Sequence, residues 1–235
     1  LPQFLKDQTF SPFASELFQW VPFRESLDLI YKNIQLRNHA HPEETPVRSL
    51  VITSALSGEG KSTIAIGLAT CAARLHKRVL LIDADMRKPT LHKKLNLPNA
   101  RGLSTLLASQ GSVDSRDVIQ SSNTTIDILT AGPIPKDSVT LLSSEWLQQL
   151  MSSFEEDYDI VIIDSPPVLG TVDTIQIATC SSAVVAVGRI DRITRGEFTQ
   201  AISILQKLNL IGVIANGVKE LPHIYSADEV DDNED

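Results

Sequence analysis

A doubly wound, mostly parallel α/β sheet is the fold predicted for this chain of 235 residues, on three observations. Short runs rich in valine, isoleucine and leucine recur, with longer helix-patterned segments between them. Most of these runs lack the polar–apolar alternation of a half-wet strand, which suits a sheet covered on both faces. Apolar residues make up 42% of the chain and charged residues 21%, enough to bury a substantial core. Strands alternating with helices imply parallel pairing through right-handed crossovers.

Residues 1 to about 23 are rich in proline and phenylalanine without a period and predict an irregular arm. A helix over 25–37 places Leu29, Ile30, Asn33, Ile34 and Leu36 partly on one face, and 39–46 is a polar, proline-bearing connection. Strands are predicted at 50–54, 79–83, 126–131, 159–164, 183–188 and 211–215. Between the first two, a helix from 61 to about 76 puts Ile64, Leu68, Cys71, Ala72 and Leu75 at helical spacing. Further helices are predicted at 143–154, 173–180 and 196–208. Residues 226–235 are almost wholly acidic and predict a solvated tail. The organisation is therefore an arm and helix over 1–48, the α/β domain over 49–220 and an acidic tail over 221–235.

The formal charge of −8 argues against nucleic acid as a general partner. Cys71 and Cys180 are too few for a disulfide framework or a four-cysteine metal site and fit a reducing cytoplasm, a single bond between them staying open. No run approaches the roughly 20 apolar residues that span a bilayer. The sequence opens on Leu1 with neither methionine nor a signal-peptide pattern, which predicts a portion of a longer protein.

The most informative segment is Ser54-Ala55-Leu56-Ser57-Gly58-Glu59-Gly60-Lys61-Ser62-Thr63, directly after the first strand and before a helix. A loop in that place turns backbone N–H groups inward as an anion cradle, and the new helix adds the positive end of its dipole. Gly58 and Gly60 let the backbone curl close to a pyrophosphate, Lys61 reaches the β- and γ-phosphates, and the Ser62 hydroxyl ligates Mg²⁺. Ala55 stands where the strict pattern has its first glycine. The plain alternative is a glycine-rich turn with an incidental lysine.

Two further strands end in acids. Leu80-Leu81-Ile82-Asp83-Ala84-Asp85-Met86-Arg87 carries two carboxylates, and Val161-Ile162-Ile163-Asp164-Ser165-Pro166-Pro167 carries one. Ligands of open α/β sheets bind beyond the carboxyl ends of strands, so these acids should converge on phosphates held by the loop. Asp164 is the natural holder of Mg²⁺ or its waters, which leaves one of Asp83 and Asp85 to orient or deprotonate a nucleophile. Taken singly, each aspartate has a plain alternative reading as a helix cap or loop residue.

Together these motifs resemble those of the bacterial protein tyrosine kinases, the BY-kinases: a Walker A loop at 55–62, a second apolar-D-x-D-x-R motif at 80–87 and a Walker B motif with D-x-P-P at 162–167. Gly102-Leu103-Ser104 and Ala131-Gly132-Pro133 also resemble family segments, so the similarity runs from about residue 25 to 216. MinD/ParA-type ATPases carry a signature lysine where Leu56 stands here.

The resemblance implies a P-loop NTPase fold of the deviant Walker type and transfer of the γ-phosphoryl of ATP, with Mg²⁺, to tyrosine. It implies protein tyrosine substrates, often in a C-terminal cluster of another copy, and a role in capsule or exopolysaccharide assembly. The implied partner is a membrane-spanning polysaccharide copolymerase segment, fused or separate, as activator, which places the domain in the cytoplasm at the inner face of the plasma membrane. It also implies a homo-oligomer. The family's E-x2-R-x2-R oligomerisation motif would align on Glu25, Asp28 and Tyr31, so both arginines are absent, and the tail carries Tyr225 alone instead of a cluster.

On this resemblance the catalytic residues are Lys61, Asp83 and Asp85. Asp83 would accept the proton while Asp85 and Asp164 shape the metal shell, the reverse split of Asp83 and Asp85 staying open. Ser57, Gly58, Glu59, Gly60, Lys61, Ser62, Thr63, Arg87 and Asn216 would bind the nucleotide, with Asn216 reading the adenine edge. Arg87 would neutralise a phosphate or hold the acids, an ordinary salt bridge being the alternative. Ser62, Asp83, Asp85 and Asp164 form the metal set. A P-loop ATPase switch in polysaccharide export without kinase activity, and a non-enzymatic nucleotide-binding module, are the competing readings.

Overall fold

A computed structural model describes residues 20–40, 43, 46–121 and 126–218. Among them, β1 (Ser49–Ser54), β2 (Val79–Asp83), β3 (Gln120–Ser121), β4 (Ile126–Leu129), β5 (Ile160–Asp164), β6 (Ala183–Arg189) and β7 (Leu210–Asn216) form one sheet in the order β3-β4-β2-β5-β1-β6-β7. Every pairing is parallel except β3 with β4. The doubly wound α/β class is as the sequence predicts.

β1, β2 and β5 are buried along their whole lengths, which is why their sequences are unbroken apolar runs. Successive residues point to opposite faces, so Leu50 and Ile52 enter one core layer and Val51 the other. The first layer is closed by α1 (Val21–Ala40) and α2 (Lys61–Arg74), through Phe23, Leu27, Tyr31 and Ile34 against Ile64, Leu68 and Ala72. The second is closed by α4 (Leu103–Ser109), α5 (Ser138–Leu142), α6 (Glu145–Asp157), α7 (Asp173–Thr179) and α8 (Arg195–Leu205), after a single-turn α3 (Leu91–Lys94) on the way out of β2.

Several boundaries differ from the sequence expectation; α1 runs on to Ala40, into the expected 39–46 connection, and α8 ends at Leu205 and not at 208. Helix α1 begins at Val21 and not at 25, because Pro22 in its first turn gives up an N–H that has no intrahelical partner anyway, and the Ser26 hydroxyl donates to the Pro22 carbonyl. Residues 21–23 of the expected arm are thus helical, with Phe23 in the core; residues 1–19 lie outside the described residues. Strand β4 stops at Leu129 and not at 131, because the carbonyls of Thr130 and Ala131 accept the N–H groups of Leu103 and Ser104 at 2.8 and 2.9 Å. Gly102 is required there: a Cβ would collide with the Thr130 carbonyl and the Gly132 backbone. The helix expected at 143–154 is α6 alone, displaced to Glu145–Asp157, with α5 ending at Leu142 just before it.

The positions aligned with the two family arginines are used inside the chain. Asp28 pairs with Arg74 and accepts from the Cys71 thiol at 2.9 Å, and Tyr31 is buried. Burial, together with Asp28 beside it, pushes the Cys71 thiol up to about 12. Among the described residues no helix is long and apolar enough to cross a membrane.

Candidate active site

The turn between β1 and α2 is built by its glycines. Gly58 and Gly60 take φ of +85° and +98°, a region in which any other side chain is strained. A Cβ on Gly60 would collide with the Asn216 amide, and one on Gly58 would stand 2.6 Å from Nη1 of Arg192. No side chain caps α2 at Gly60, so the N–H groups of its first turn suit an outside acceptor.

Glu59 is buried, and its carboxylate accepts the Leu56 N–H at 2.7 Å and the Arg189 N–H at 3.2 Å. Its carbonyl accepts Nδ2 of Asn216 at 2.8 Å, while Asn216 Oδ1 accepts the Gly217 N–H. The expected nucleotide ligands Glu59 and Asn216 therefore turn their side chains on the protein, bracing the loop against the ends of β6 and β7. Ser57 is exposed and Thr63 half-buried, one on the loop and the other in the first turn of α2.

The three acids stand at or just beyond the ends of β2 and β5. Asp83 and Asp164 stand opposite each other in the β2–β5 register, both buried. Burial raises the proton affinity of both; Asp164 adds to the rise at Asp83, and Ser62 and Lys61 offset it at Asp164. Both oxygens of Asp83 are occupied: Oδ2 accepts the N–H groups of Thr90 and Leu91 at 3.1 and 2.9 Å, and Oδ1 that of Asp85 at 3.2 Å. Asp85 is more open, accepting the Lys88 N–H on Oδ1 at 2.9 Å; burial raises its proton affinity, against the Lys88 N–H and the Lys61 charge.

Oδ1 of Asp164 is buried with no hydrogen-bond partner, a position that suits a cation or its water. Ser62, Asp83, Asp85 and Asp164 offer only oxygen donors, the ligand type of Mg²⁺. Among the described residues no three His, Cys, Asp or Glu side chains form a group that could hold a metal ion.

Arg87 makes a salt bridge, one of the alternatives the sequence leaves open. Its guanidinium forks onto Asp173 at 2.8 and 3.0 Å, and Asp173 also accepts from Ser138 at 2.8 Å. Burial works against the Asp173 charge, but the Arg87 and Ser138 hydrogen bonds and the Arg87 charge outweigh it and hold its carboxyl below the usual range. Sequence reasoning missed Asp173, Arg192 and Lys94. Burial holds the Lys94 ammonium below its ordinary range, against the nearby Asp164 charge. Lys94 follows the second acidic motif closely enough for a local signal; Asp173 and Arg192 have none.

A family model described as an AAA domain matches residues 47–211. Tyrosine-protein kinase YwqD of Bacillus subtilis is 38% identical over 197 residues, 82% of each chain. Putative tyrosine-protein kinase EpsB of Ralstonia solanacearum is 37% identical over 181 residues, which cover 75% of this chain but only 23% of EpsB. The crystal structure of the chimerical protein CapA2B2 matches with a TM-score of 0.80 at 33% identity, over 94% of this chain and 96% of the other.

Proposed function

Because this chain belongs to the bacterial tyrosine-protein kinase (BY-kinase) family, we propose that it transfers the γ-phosphoryl group of ATP to a tyrosine hydroxyl. The observation that carries the reading is the meeting of Asp83, Asp85 and Asp164 beside a glycine-curled loop that ends in Lys61 and Ser62. Lys61 neutralises the β- and γ-phosphates, and the backbone N–H groups of the loop hold them in place. Ser62 and Asp164 would hold Mg²⁺, which when bound withdraws charge from the triphosphate.

Asp85 receives the hydroxyl proton in this reading, reversing the first assignment. It is the more open of the pair, whereas both oxygens of Asp83 are committed to backbone N–H groups. The tyrosine oxygen bonds to the γ-phosphorus, the bond to the β–γ bridging oxygen breaks, Asp85 takes the proton and ADP departs. A loose transition state asks mainly for alignment and charge neutralisation, so a carboxylate suffices as acceptor.

The acceptor is a tyrosine on another chain or on another copy. Of the three tyrosines, Tyr31 is buried and the Tyr158 hydroxyl donates to Asp127 at 2.8 Å. Tyr225, which lies outside the described residues, is the remaining candidate. The family also suggests a copolymerase segment as activator, action at the inner face of the plasma membrane and a part in exopolysaccharide synthesis; EpsB, of which this chain spans 23%, has room for further domains. The test is incubation with MgATP and detection of phosphotyrosine by mass spectrometry, with Lys61→Met as control. Label in the parent and none in the folded variant is expected; ATP hydrolysis without label, even with an activating segment added, would point to an ATPase switch.

A further inference from the structure

At the rim of the phosphate loop, Arg192 lies in the turn that follows β6, at the same end of the sheet as the three acids. Its Nη1 donates to the Gly58 carbonyl at 3.3 Å. The neighbouring Arg189 is neutralised by a two-bond fork onto Asp191, at 2.7 and 3.1 Å. Among the described residues Arg192 has no such carboxylate; the Gly58 carbonyl is its hydrogen-bond partner. An exposed, uncompensated guanidinium therefore stands against the backbone of the loop.

The site is short of positive charge. Lys61, whose charge acts on Asp85 and Asp164, and Lys94, whose charge acts on Asp164, stand against three carboxylates, and a magnesium–triphosphate complex brings further net negative charge. A guanidinium forks onto phosphate oxygens with two parallel bonds in which donor and acceptor are both charged, against the one bond it makes here to a neutral carbonyl. We infer that Arg192 is a second phosphate-reading cation of this site, which leaves the Gly58 carbonyl for the terminal phosphate of the bound triphosphate. The inference rests on the reading that a triphosphate occupies this loop, and adds a ligand after β6 that the motifs do not contain.

Calorimetric titration of the full chain, Arg192→Ala and Arg192→Lys with MgATP and with MgADP tests it. Arg192→Ala should weaken MgATP binding about tenfold and MgADP binding clearly less, with Arg192→Lys between, since lysine keeps the charge without the fork. Melting of the nucleotide-free variants should match the parent, as the side chain is exposed. Equal losses for both nucleotides would reduce Arg192 to a pin on Gly58 and overturn the inference, and so would unchanged affinity. Selective loss of MgATP in a protein that labels no tyrosine would uphold Arg192 and remove the kinase reading; tyrosine labelling with unchanged affinity would do the reverse.

Discussion

Asp83 and Asp164 occupy paired positions on β2 and β5, two buried carboxylates on adjacent strands, and each raises the cost of ionising its neighbour. Without a cation that repulsion is carried by the fold. Asp164→Asn should therefore raise the nucleotide-free melting midpoint by about 2–4 °C, the equivalent of ~1 kcal/mol in a chain of this size. It should also erase the stabilisation that MgATP confers on the parent. Thermal melts with and without MgATP check both parts, and a fall in the nucleotide-free midpoint would contradict the account.

The two acids that follow β2 should separate in their effects. Asp85→Asn is expected to leave stability within about 0.5 kcal/mol and to cut tyrosine labelling by about 10²–10⁴-fold. Asp83→Asn replaces a carboxylate that accepts three backbone N–H groups by an amide with a single acceptor oxygen, and should cost about 1–3 kcal/mol. Denaturant unfolding of both variants beside a labelling assay gives the comparison.

Glu59→Ala strips the loop of its inner brace. The Leu56 and Arg189 N–H groups lose their acceptor, at about 1–3 kcal/mol for each group left buried and unpaired. Nucleotide affinity should fall with stability although no phosphate contact has been removed. Equilibrium unfolding together with an ATP titration reads both quantities.

Acid should undo the Arg87–Asp173 pair. The folded carboxyl of Asp173 lies below its unfolded value, so its contribution is complete above about pH 4 and is lost as pH falls through the folded value. Asp28 behaves likewise: burial opposes its charge, but the Cys71 and Arg74 hydrogen bonds and the Arg74 charge prevail. Asp173→Asn should be less stable than the parent at neutral pH, with the gap closing below about pH 4. Unfolding free energies measured across that range test the sign.

The sequence discloses those parts of the site that are contiguous in the chain. Gly58, Gly60, Lys61 and Ser62 sit together between a strand and a helix, and Asp83, Asp85 and Asp164 mark strand ends, so a local pattern suffices for both. What it conceals depends on partners far along the chain. Arg87 reaches Asp173 across 86 residues, and Glu59 reaches Arg189 across 130. A glutamate in a phosphate loop has the same local signature whether it faces the ligand or the interior. The end of β4 at Leu129 was hidden for the same reason, since the carbonyls beyond it are captured by the start of α4.

The strand order sets β5 and β6 on either side of β1, so the connections from β1 to β2 and from β5 to β6 run in opposite directions, the kind of switch point at which open α/β sheets bind ligands. That divergence is a product of connectivity and precedes any choice of side chain. Substitution can strip away the anion receptor and leave the divergence intact, which gives protein engineers a place to install recognition of a different guest.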